Sequence, residues 1–290
     1  MRIHYVVVTF NADLELLSRA IESVICQVNK VSIVDNTVAN NGYLNMFISP
    51  KISVSYLGDN MGIAYAQNIG IKNAIEEGAN YIILSDQDTV YPLDYVSRMV
   101  RVFDLKENIA AVSPEIYDVY QNKNQGFVEK TWAGFRKVYP TKGCHEIFQA
   151  INSGQILNVK YLYEIGLMNS DLFIDWVDYE WCWRACNKGF TIIGNADVVI
   201  RHQLGEGAVN LSFKQVSLKN SIRYYYITRN AFYLSLRSQH LDLIHKLTLF
   251  VRSFRYIIGY PILSTSHLLS LKYVLIGFYH GVMGKLGRLT

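Results

Sequence analysis

The sequence predicts an α/β fold in which helices cover both faces of a doubly wound, mostly parallel sheet. Four short segments rich in Val and Ile lie in the first third of the chain. The first of them, 3–10, is nearly all apolar, which is typical of a strand buried on both faces. Segments with helical spacing of apolar residues alternate with most of them, which indicates β-α-β units. The chain has 290 residues, 50% hydrophobic and 18% charged, which allows a large core and excludes a disordered protein.

The elements of the first half follow in a regular order. The helix after the first strand has apolar residues at helical spacing from Leu14 onward, with Asn11 or Asp13 as its expected N-cap. Two further helices are predicted at 62–78, closed by a glycine, and at 92–103, opened by a proline. The strands are predicted at 3–10, 31–36, 52–57 and 81–85.

The middle of the chain is less regular. Residues 114–145 predict strands and loops, and residues 152–166 predict a strand or turn followed by a short helix. Residues 172–190 run into a helix that ends near Gly189, and residues 191–205 form a further strand.

The end of the chain differs in charge from the rest. Residues 230–290 contain seven Lys or Arg and one acid, a net charge of +6, whereas residues 1–229 contain 21 basic and 23 acidic residues, a net charge of −2. The longest uncharged run, 256–271, has 16 residues, fewer than the about 20 apolar residues of a transmembrane helix. We therefore predict a catalytic domain over 1–229 and a basic, apolar helical extension over 230–290.

This extension is expected to bind an anionic membrane surface, because basic residues between apolar stretches fit helices that lie among lipid headgroups. An ordinary helical subdomain packed on the core is the alternative. Residues 221–234 are expected to connect the extension to the active site.

Polar side chains stand where three of the predicted strands end: Asn11, Asp35 with Asn36, and Asp86 with Asp88. In sheets of this kind, ligands bind beyond the carboxyl ends of the strands. Carboxylate oxygens suit Mg²⁺ or Mn²⁺, which proteins often hold with one or two carboxylates together with substrate phosphates. The Asp-x-Asp pair is thus predicted to hold a divalent cation against a diphosphate; a capped turn is the alternative.

The start of the second helix contains small residues. Gly62 allows a ligand to approach the backbone closely, and Asn68 follows on the same helix. Tight packing of the helix on the sheet is the alternative explanation.

Seven motifs together resemble family 2 glycosyltransferases of the GT-A fold. They cover about residues 3–230 in the family's order, and the match is closest to the bacterial rhamnosyltransferase-like group. The resemblance implies a nucleotide-sugar donor, a divalent cation and inversion at the anomeric carbon. The motifs are VVVTFN, VDN, DNMGIAYAQNIGI, LSDQD, NSGQILN, LFIDWVDYEWCWR and RHQLGE.

The resemblance also implies roles for individual residues. Asp88 would ligate the metal, and Asp86 would contact the ribose or the sugar. Asp35 would bind on the nucleobase side, and His202 would contact the metal or the diphosphate. The nucleotide pocket would be completed by Thr9, Phe10, Asn11, Asn36, Gly62 and Asn68.

A second acidic cluster, in FIDWVDYEW, is predicted to supply the general base. An inverting transfer needs one group that deprotonates the acceptor hydroxyl. Alignment of the motif on Arg184 places Asp178 at the second acid of the family's acidic pair, but Val177 replaces the first acid. Asp175 therefore remains the alternative base.

The sequence thus predicts a metal-dependent inverting glycosyltransferase. The expected reaction moves L-rhamnose from dTDP-L-rhamnose to a lipid-linked saccharide in bacterial surface polysaccharide synthesis. A UDP-sugar donor, a nucleotidyltransferase and an inactive membrane-bound module are the alternatives. The segment TFNADLELL lacks the Gly-rich, basic phosphate loop that is expected of a nucleotidyltransferase. The first residues do not have the pattern of a signal peptide. We expect a peripheral location on the cytoplasmic face of the inner membrane, and no nucleic-acid partner.

Overall fold

A computed structural model describes residues 1–38, 42–119, 122–202, 207–211, 214–218 and 221–289. From residue 202 to residue 218 the description covers the course of the backbone only. The strands are β1 (Ile3–Thr9), β2 (Lys30–Asp35), β3 (Ile52–Tyr56), β4 (Tyr81–Asp86), β5 (Ile109–Asp118), β6 (Lys123–Asn124), β7 (Phe127–Thr131), β8 (Gly134–Val138), β9 (Cys144–Ile147), β10 (Gln155–Asn158), β11 (Thr191–His202), β12 (Gly207–Leu211) and β13 (Lys214–Leu218). The helices are α1 (Leu14–Ile25), α2 (Ile63–Glu76), α3 (Tyr95–Val100), α4 (Val159–Ile165), α5 (Val177–Asn187), α6 (Ser221–Arg237), α7 (Leu243–Leu263) and α8 (His267–Met283).

One large sheet organises the molecule, in the strand order β3-β2-β1-β4-β10-β5-β11-β9, with β6 paired to β5. The first four strands in this order are parallel, and so are β5 and β11. Strand β10 is antiparallel to both of its neighbours, and β9 is antiparallel to β11. The predicted mostly parallel sheet is therefore confirmed.

Helices cover both faces of this sheet, as predicted. Along β1 the side chain of Val6 belongs to one core cluster, while Tyr5 and Val7 belong to the other. The first cluster includes Trp181 of α5, and the second includes Leu17 of α1. Because both faces of a central strand are covered, its sequence reads as a continuous apolar run.

Local capping decides where the helices begin. The carboxylate of Asp13 accepts hydrogen bonds from the backbone N–H groups of Glu15 and Leu16, so Asp13 is the N-cap of α1. The helix predicted at 92–103 is shorter than expected: α3 covers Tyr95–Val100, and a 3₁₀ turn follows it. Helix α5 begins only at Val177, because the residues before it adopt left-handed backbone conformations.

The last three helices form a bundle beside the sheet. Helix α6 is largely buried, and α7 and α8 pack on it. None of the helices in the described part of the chain is both long and apolar enough to cross a bilayer. The division at residue 229 falls within α6, and the two-domain organisation stays a prediction.

Candidate active site

The carboxyl ends of β1, β2 and β4 bring the predicted strand-end residues together. Thr9 lies opposite Asp35, and Val8 lies opposite Asp86 in the parallel register. The hydroxyl of Thr9 donates a hydrogen bond of 2.9 Å to Asp35. Three polar segments that are distant in sequence thus line one crevice, where a doubly wound sheet binds its ligands.

Asp35 is held in a fixed orientation at the bottom of this crevice. It is buried, and one of its carboxylate oxygens accepts hydrogen bonds from Thr9, Thr37 and the hydroxyl of Tyr43, at 2.9, 2.7 and 3.1 Å. Its neighbour Asn36 accepts a hydrogen bond of 2.8 Å from the backbone N–H of Met61. Asn36 therefore ties the end of β2 to the loop before α2.

The residues after β1 lie at the mouth of the crevice. The backbone N–H of Phe10 donates to the side-chain oxygen of Gln87 at 2.9 Å, and the N–H of Asn11 donates to the hydroxyl of Thr37 at 2.9 Å. The side chains of Phe10 and Asn11 are exposed, and Asn11 has a positive φ of 48°. The turn that contains Asp86 and Asp88 is thus hydrogen-bonded directly to the end of β1.

Asp86 and Asp88 lie side by side in this turn, and both are partly exposed. The hydroxyl of Ser153 donates a hydrogen bond to the carboxylate of Asp86. Burial raises the pKa of Tyr5, and the negative charges of Asp86 and Asp88 add to this shift. Both carboxylates therefore stand close to the same buried hydroxyl and concentrate negative charge at the end of β4.

The oxygen donors of this turn fit Mg²⁺ or Mn²⁺, which accept carboxylates together with phosphate oxygens or water. The side chains that the structure describes contain no group of three His, Cys, Asp or Glu able to hold a metal. A site here would therefore draw on two carboxylates and on oxygens of the substrate, unless His202 completes it.

His202 is the last residue of β11, and its side chain lies outside the described part of the structure. Its backbone is opposite Asp118 of β5, and its neighbour Arg201 pairs with Val90. The end of β11 therefore lies beside the segment that follows Asp88. The structure brings the backbone of His202 near the Asp-x-Asp turn, and its role as a ligand stays a prediction.

The second acidic cluster joins the first. Asp178 lies in the first turn of α5 and is partly buried. This burial is the main cause that raises the pKa of Asp178 to about 7, and the negative charges of Asp175 and Asp86 add to the shift. Asp178 is thus near both Asp86 and Asp175, so the two acidic segments form a single site.

Asp175 has a different environment. Both of its carboxylate oxygens accept hydrogen bonds from the guanidinium group of Arg223 in α6, at 2.9 and 3.2 Å. A two-point contact of this kind fixes the orientation of a carboxylate. Arg184 makes the equivalent contact with Glu180, at 2.9 and 3.1 Å, so it is a partner of Glu180 rather than of the two aspartates.

Gly62 and Asn68 connect α2 to the segment that precedes α5. A Cβ atom at Gly62 would come within 2.6 Å of the backbone oxygen and ring of Phe173. The amide of Asn68 donates to the carbonyl of Met168 at 2.8 Å and accepts from the N–H of the same residue at 2.9 Å. The contacts of both residues join α2 to the 168–173 segment, whereas the packing alternative expected contact with the sheet. Direct ligand contact stays a prediction for them.

Three residues of the site were not predicted. Gln87 and Ser153 lie within motifs that resemble the family, but no pattern in the sequence shows that they hydrogen-bond to Phe10 and Asp86. Arg223 lies in a segment that was predicted only to connect the tail to the site. Its pairing with Asp175 spans 48 residues, and neither periodicity nor spacing reveals a contact of that range.

Comparison with known proteins identifies the family of the chain. A sequence model of the family described as "Glycosyl transferase family 2" matches residues 5–166. The "dTDP-rhamnosyl transferase RfbF" of Shigella flexneri is 31% identical over 245 residues, which cover 83% of this chain and 82% of that protein.

Solved structures share the fold at low sequence identity. Residues 1–349 of S. aureus TarS in complex with UDP-GlcNAc match with a TM-score of 0.60 and 15% identity, over 97% of this chain and 82% of that one. The mannosyltransferase PcManGT of Pyrobaculum calidifontis, with GDP-Man and Mn²⁺, matches with a TM-score of 0.59 and 14% identity, over 99% and 76%. GalNAc-T7 with UDP, GalNAc and Mn²⁺ matches with a TM-score of 0.61 and 16% identity over 92% of this chain, which spans 57% of that protein.

The family match covers more than half of the chain, and the curated relative covers most of it. The structures show the same arrangement of sheet and helices. The chain therefore belongs to glycosyltransferase family 2, in its rhamnosyltransferase-like group, and is a glycosyltransferase of GT-A fold.

Proposed function

We propose that this enzyme is a metal-dependent inverting transferase that moves L-rhamnose from dTDP-L-rhamnose to a hydroxyl group of a lipid-linked saccharide. The observation that carries the proposal is the position of Asp178, whose carboxyl has a pKa of about 7 and lies near Asp86 at the end of β4. A base whose pKa is raised toward neutral pH thus lies near the turn that would hold the diphosphate. The similarity to the Shigella flexneri dTDP-rhamnosyl transferase supports rhamnose as the sugar.

Asp86 and Asp88 are the residues that would hold Mg²⁺ or Mn²⁺. Two of the similar structures contain Mn²⁺ together with a nucleotide or nucleotide sugar, which supports a divalent cation here. Bound in this turn, the ion would neutralise negative charge on the departing diphosphate. Ser153 orients Asp86 through its hydrogen bond.

Asp178 would act as the general base. The acceptor oxygen forms its bond to C1 of the sugar while the bond from C1 to the diphosphate oxygen breaks. The hydroxyl proton passes to the Asp178 carboxylate, and the nucleoside diphosphate leaves with the bonding electrons. A single displacement of this kind inverts the anomeric carbon and requires no covalent enzyme intermediate.

Asp175 is less suited to take that proton, because both of its oxygens already accept hydrogen bonds from Arg223. On the nucleotide side, the fixed carboxylate of Asp35 suits a hydrogen bond to the base or ribose. Phe10 and Asn11 are exposed at the mouth of the same crevice and would line the nucleotide pocket.

The acceptor would be reached from the cytoplasmic face of the inner membrane, where the enzyme binds peripherally. Helix α7 exposes an apolar stripe of Ile244, Leu247, Val251, Ile258 and Ile262, each more than half exposed. These residues recur at intervals of about one or two helical turns, so they lie on one side of the helix.

The exposed Arg252 and Arg255 accompany this stripe. An apolar face flanked by cations suits insertion among anionic lipid headgroups. These features support the anionic membrane surface as a partner of the enzyme.

The release of nucleoside diphosphate from a panel of donors tests the proposed reaction. With Mg²⁺ or Mn²⁺ present, we expect dTDP-L-rhamnose to be turned over faster than UDP-GlcNAc, UDP-glucose or GDP-mannose, and a chelator to abolish the turnover. Asp88→Asn keeps the shape of the side chain but removes a charged ligand, so turnover should fall by about 10²-fold or more.

Asp94→Asn is the matched control, because Asp94 is an exposed carboxylate a few residues further along the chain, and its ion pair among the described residues is with Arg98 across 3.7 Å. This variant should retain full activity. Full activity of the wild type in chelator would refute the metal site, and preference for a UDP-sugar would refute the donor.

A further inference from the structure

The segment that leads into α5 has an unusual backbone. Phe173, Asp175 and Trp176 all have positive φ angles, of 66°, 61° and 68°. Residues other than glycine rarely adopt this region, and such conformations persist only where the surrounding structure enforces them. We call residues 172–176 the catalytic loop, since it carries Asp175 and ends two residues before Asp178.

One buried side chain holds this loop. The Nδ2 group of Asn230 donates hydrogen bonds of 2.9 Å to three backbone carbonyls of the loop, those of Leu172, Ile174 and Asp175. Asn230 is completely buried in α6. A side-chain amide has only two N–H groups. It can donate to three carbonyls only if these lie close together, which requires the curled shape of the loop.

Arg229 holds Asn230 in turn. Its Nε group donates to the side-chain oxygen of Asn230 at 2.8 Å, and its Nη2 group donates to the carbonyl of Leu172 at 2.7 Å. A third donation reaches the carbonyl of Gly287 near the C-terminus. The guanidinium group is fully buried and lies over the rings of Tyr225 and Tyr226, at 5.4 and 5.0 Å from their centroids.

The direction of the loop decides where the proposed base points. The carbonyl of Trp176 accepts the N–H of Glu180 at 2.9 Å, so the loop continues directly into the first turn of α5. Asp178 lies in that turn. A change in the curl of the loop would rotate this turn and move the carboxyl of Asp178 relative to Asp86.

We infer that Asn230, held by Arg229, is a positioning residue that sets the catalytic loop so that the carboxyl of Asp178 faces the Asp-x-Asp turn. Asn230 contacts neither donor nor acceptor in this inference and acts through the loop. The inference rests on the proposed function, because it holds that the geometry of the loop serves the proposed transfer reaction. Displacement of a catalytic group by about 1 Å can cost about 10²-fold in rate, which sets the size of the expected effect.

The test uses Asn230→Asp in the full-length enzyme, because this change keeps the shape of the side chain and removes all three donations. Ser235→Ala is the matched control: Ser235 is a buried polar residue of the same helix, and its hydroxyl donates to the carbonyl of Phe232 at 2.8 Å. Hydrogen exchange of the backbone amides is measured first, without substrate. We expect exchange at 172–178 to quicken by about 10-fold or more in Asn230→Asp only, with the strands of the sheet unchanged.

Steady-state kinetics of dTDP release from dTDP-L-rhamnose are measured on the same proteins. For Asn230→Asp we expect kcat to fall by about 10- to 100-fold while KM for the donor stays within about threefold. Unchanged exchange in the loop together with a wild-type kcat would overturn the inference. The inference would also be overturned if hydrogen exchange became faster throughout the protein and kcat and donor binding fell by similar factors, since that pattern marks a purely structural residue.

If Asn230→Asp does not fold, the same measurements are made on Asn230→Ser, which replaces the amide by a single hydroxyl donor. The exchange experiment separates this inference from the proposed function. If the wild type fails to turn over the donor, the proposed function is wrong, whereas the exchange data still decide whether Asn230 holds the loop.

Discussion

Two aspartates of one short segment show how the environment of a side chain decides its chemistry. Asp175 is bonded through both oxygens to the guanidinium group of Arg223. Asp178 is partly buried, and this burial, together with the negative charges of Asp175 and Asp86, raises its pKa to about 7. The two aspartates are three positions apart, yet Asp175 is suited to an ion pair and Asp178 to proton transfer.

The raised pKa of Asp178 has a consequence for stability. A carboxyl whose pKa is higher in the folded than in the unfolded chain binds its proton more tightly when folded, so folding is penalised as pH rises above the unfolded value of about 3.9. The penalty grows until the pH passes the folded pKa of about 7. Asp178→Asn removes it, because the amide carries no charge.

We therefore expect Asp178→Asn to raise the melting temperature at pH 8 by a few degrees relative to the wild type, and by less at pH 5. Thermal unfolding followed by calorimetry at the two values measures this. A variant that is less stable than the wild type at pH 8 would contradict the assigned environment. Asp94→Asn serves as a control, because Asp94 is exposed.

At the scale of elements, the prediction succeeds where local pattern and tertiary environment agree. Strands β1, β2 and β4 were identified because most of their residues are buried and apolar, whereas β3 lies at the edge of the sheet and alternates apolar with polar residues. Helix α3 begins later than Pro92, because the proline is followed by a turn before Tyr95. The late start of α5 was not predictable, since the positive-φ residues before it lie in a segment whose carbonyls accept hydrogen bonds from Asn230, 55 residues away from Asp175.

The apolar stripe of α7 leads to a prediction about membranes. Leu247→Ser combined with Val251→Ser removes two exposed apolar side chains, and each is worth about 1 kcal/mol or more on insertion into lipid. We expect binding to vesicles that contain anionic lipid to weaken by about 10-fold or more. Arg252→Gln with Arg255→Gln should weaken binding to anionic vesicles only, because this attraction is electrostatic.

Leu105→Ser is the control for this experiment, because Leu105 is equally exposed but lies in the turn after α3. Co-sedimentation with vesicles measures the binding, and light scattering reports the oligomeric state. If the α7 variants bind vesicles as the wild type does but change the oligomeric state, the stripe is a protein–protein surface and the membrane proposal fails.

At the scale of the whole molecule, the end of the chain is connected to the catalytic site. The N–H of Gly287 donates to the carbonyl of Asp171 at 2.8 Å, and Arg288 pairs with Asp59 at 2.7 Å. Helix α6 carries Arg223 and Asn230 on the side of the catalytic loop and packs against α7 and α8 on its other sides.

Charge composition indicated two regions of the sequence but could not reveal these contacts, which join residues far apart in the chain. Truncation near residue 229 would remove Asn230 and the C-terminal contacts with the loop. We therefore expect it to impair transfer as well as membrane binding.

The most direct test of the account compares Asp178→Asn with Asp175→Asn in the transfer of L-rhamnose from dTDP-L-rhamnose, with the affinity for the donor measured by calorimetry. Asp178→Asn should bind the donor within about threefold of the wild type and lose about 10²- to 10⁴-fold in transfer rate, the usual contribution of a general base. Asp175→Asn should retain measurable transfer, because the change weakens an ion pair and leaves the base in place. Normal transfer by Asp178→Asn, with Asp175→Asn inactive, would contradict the account.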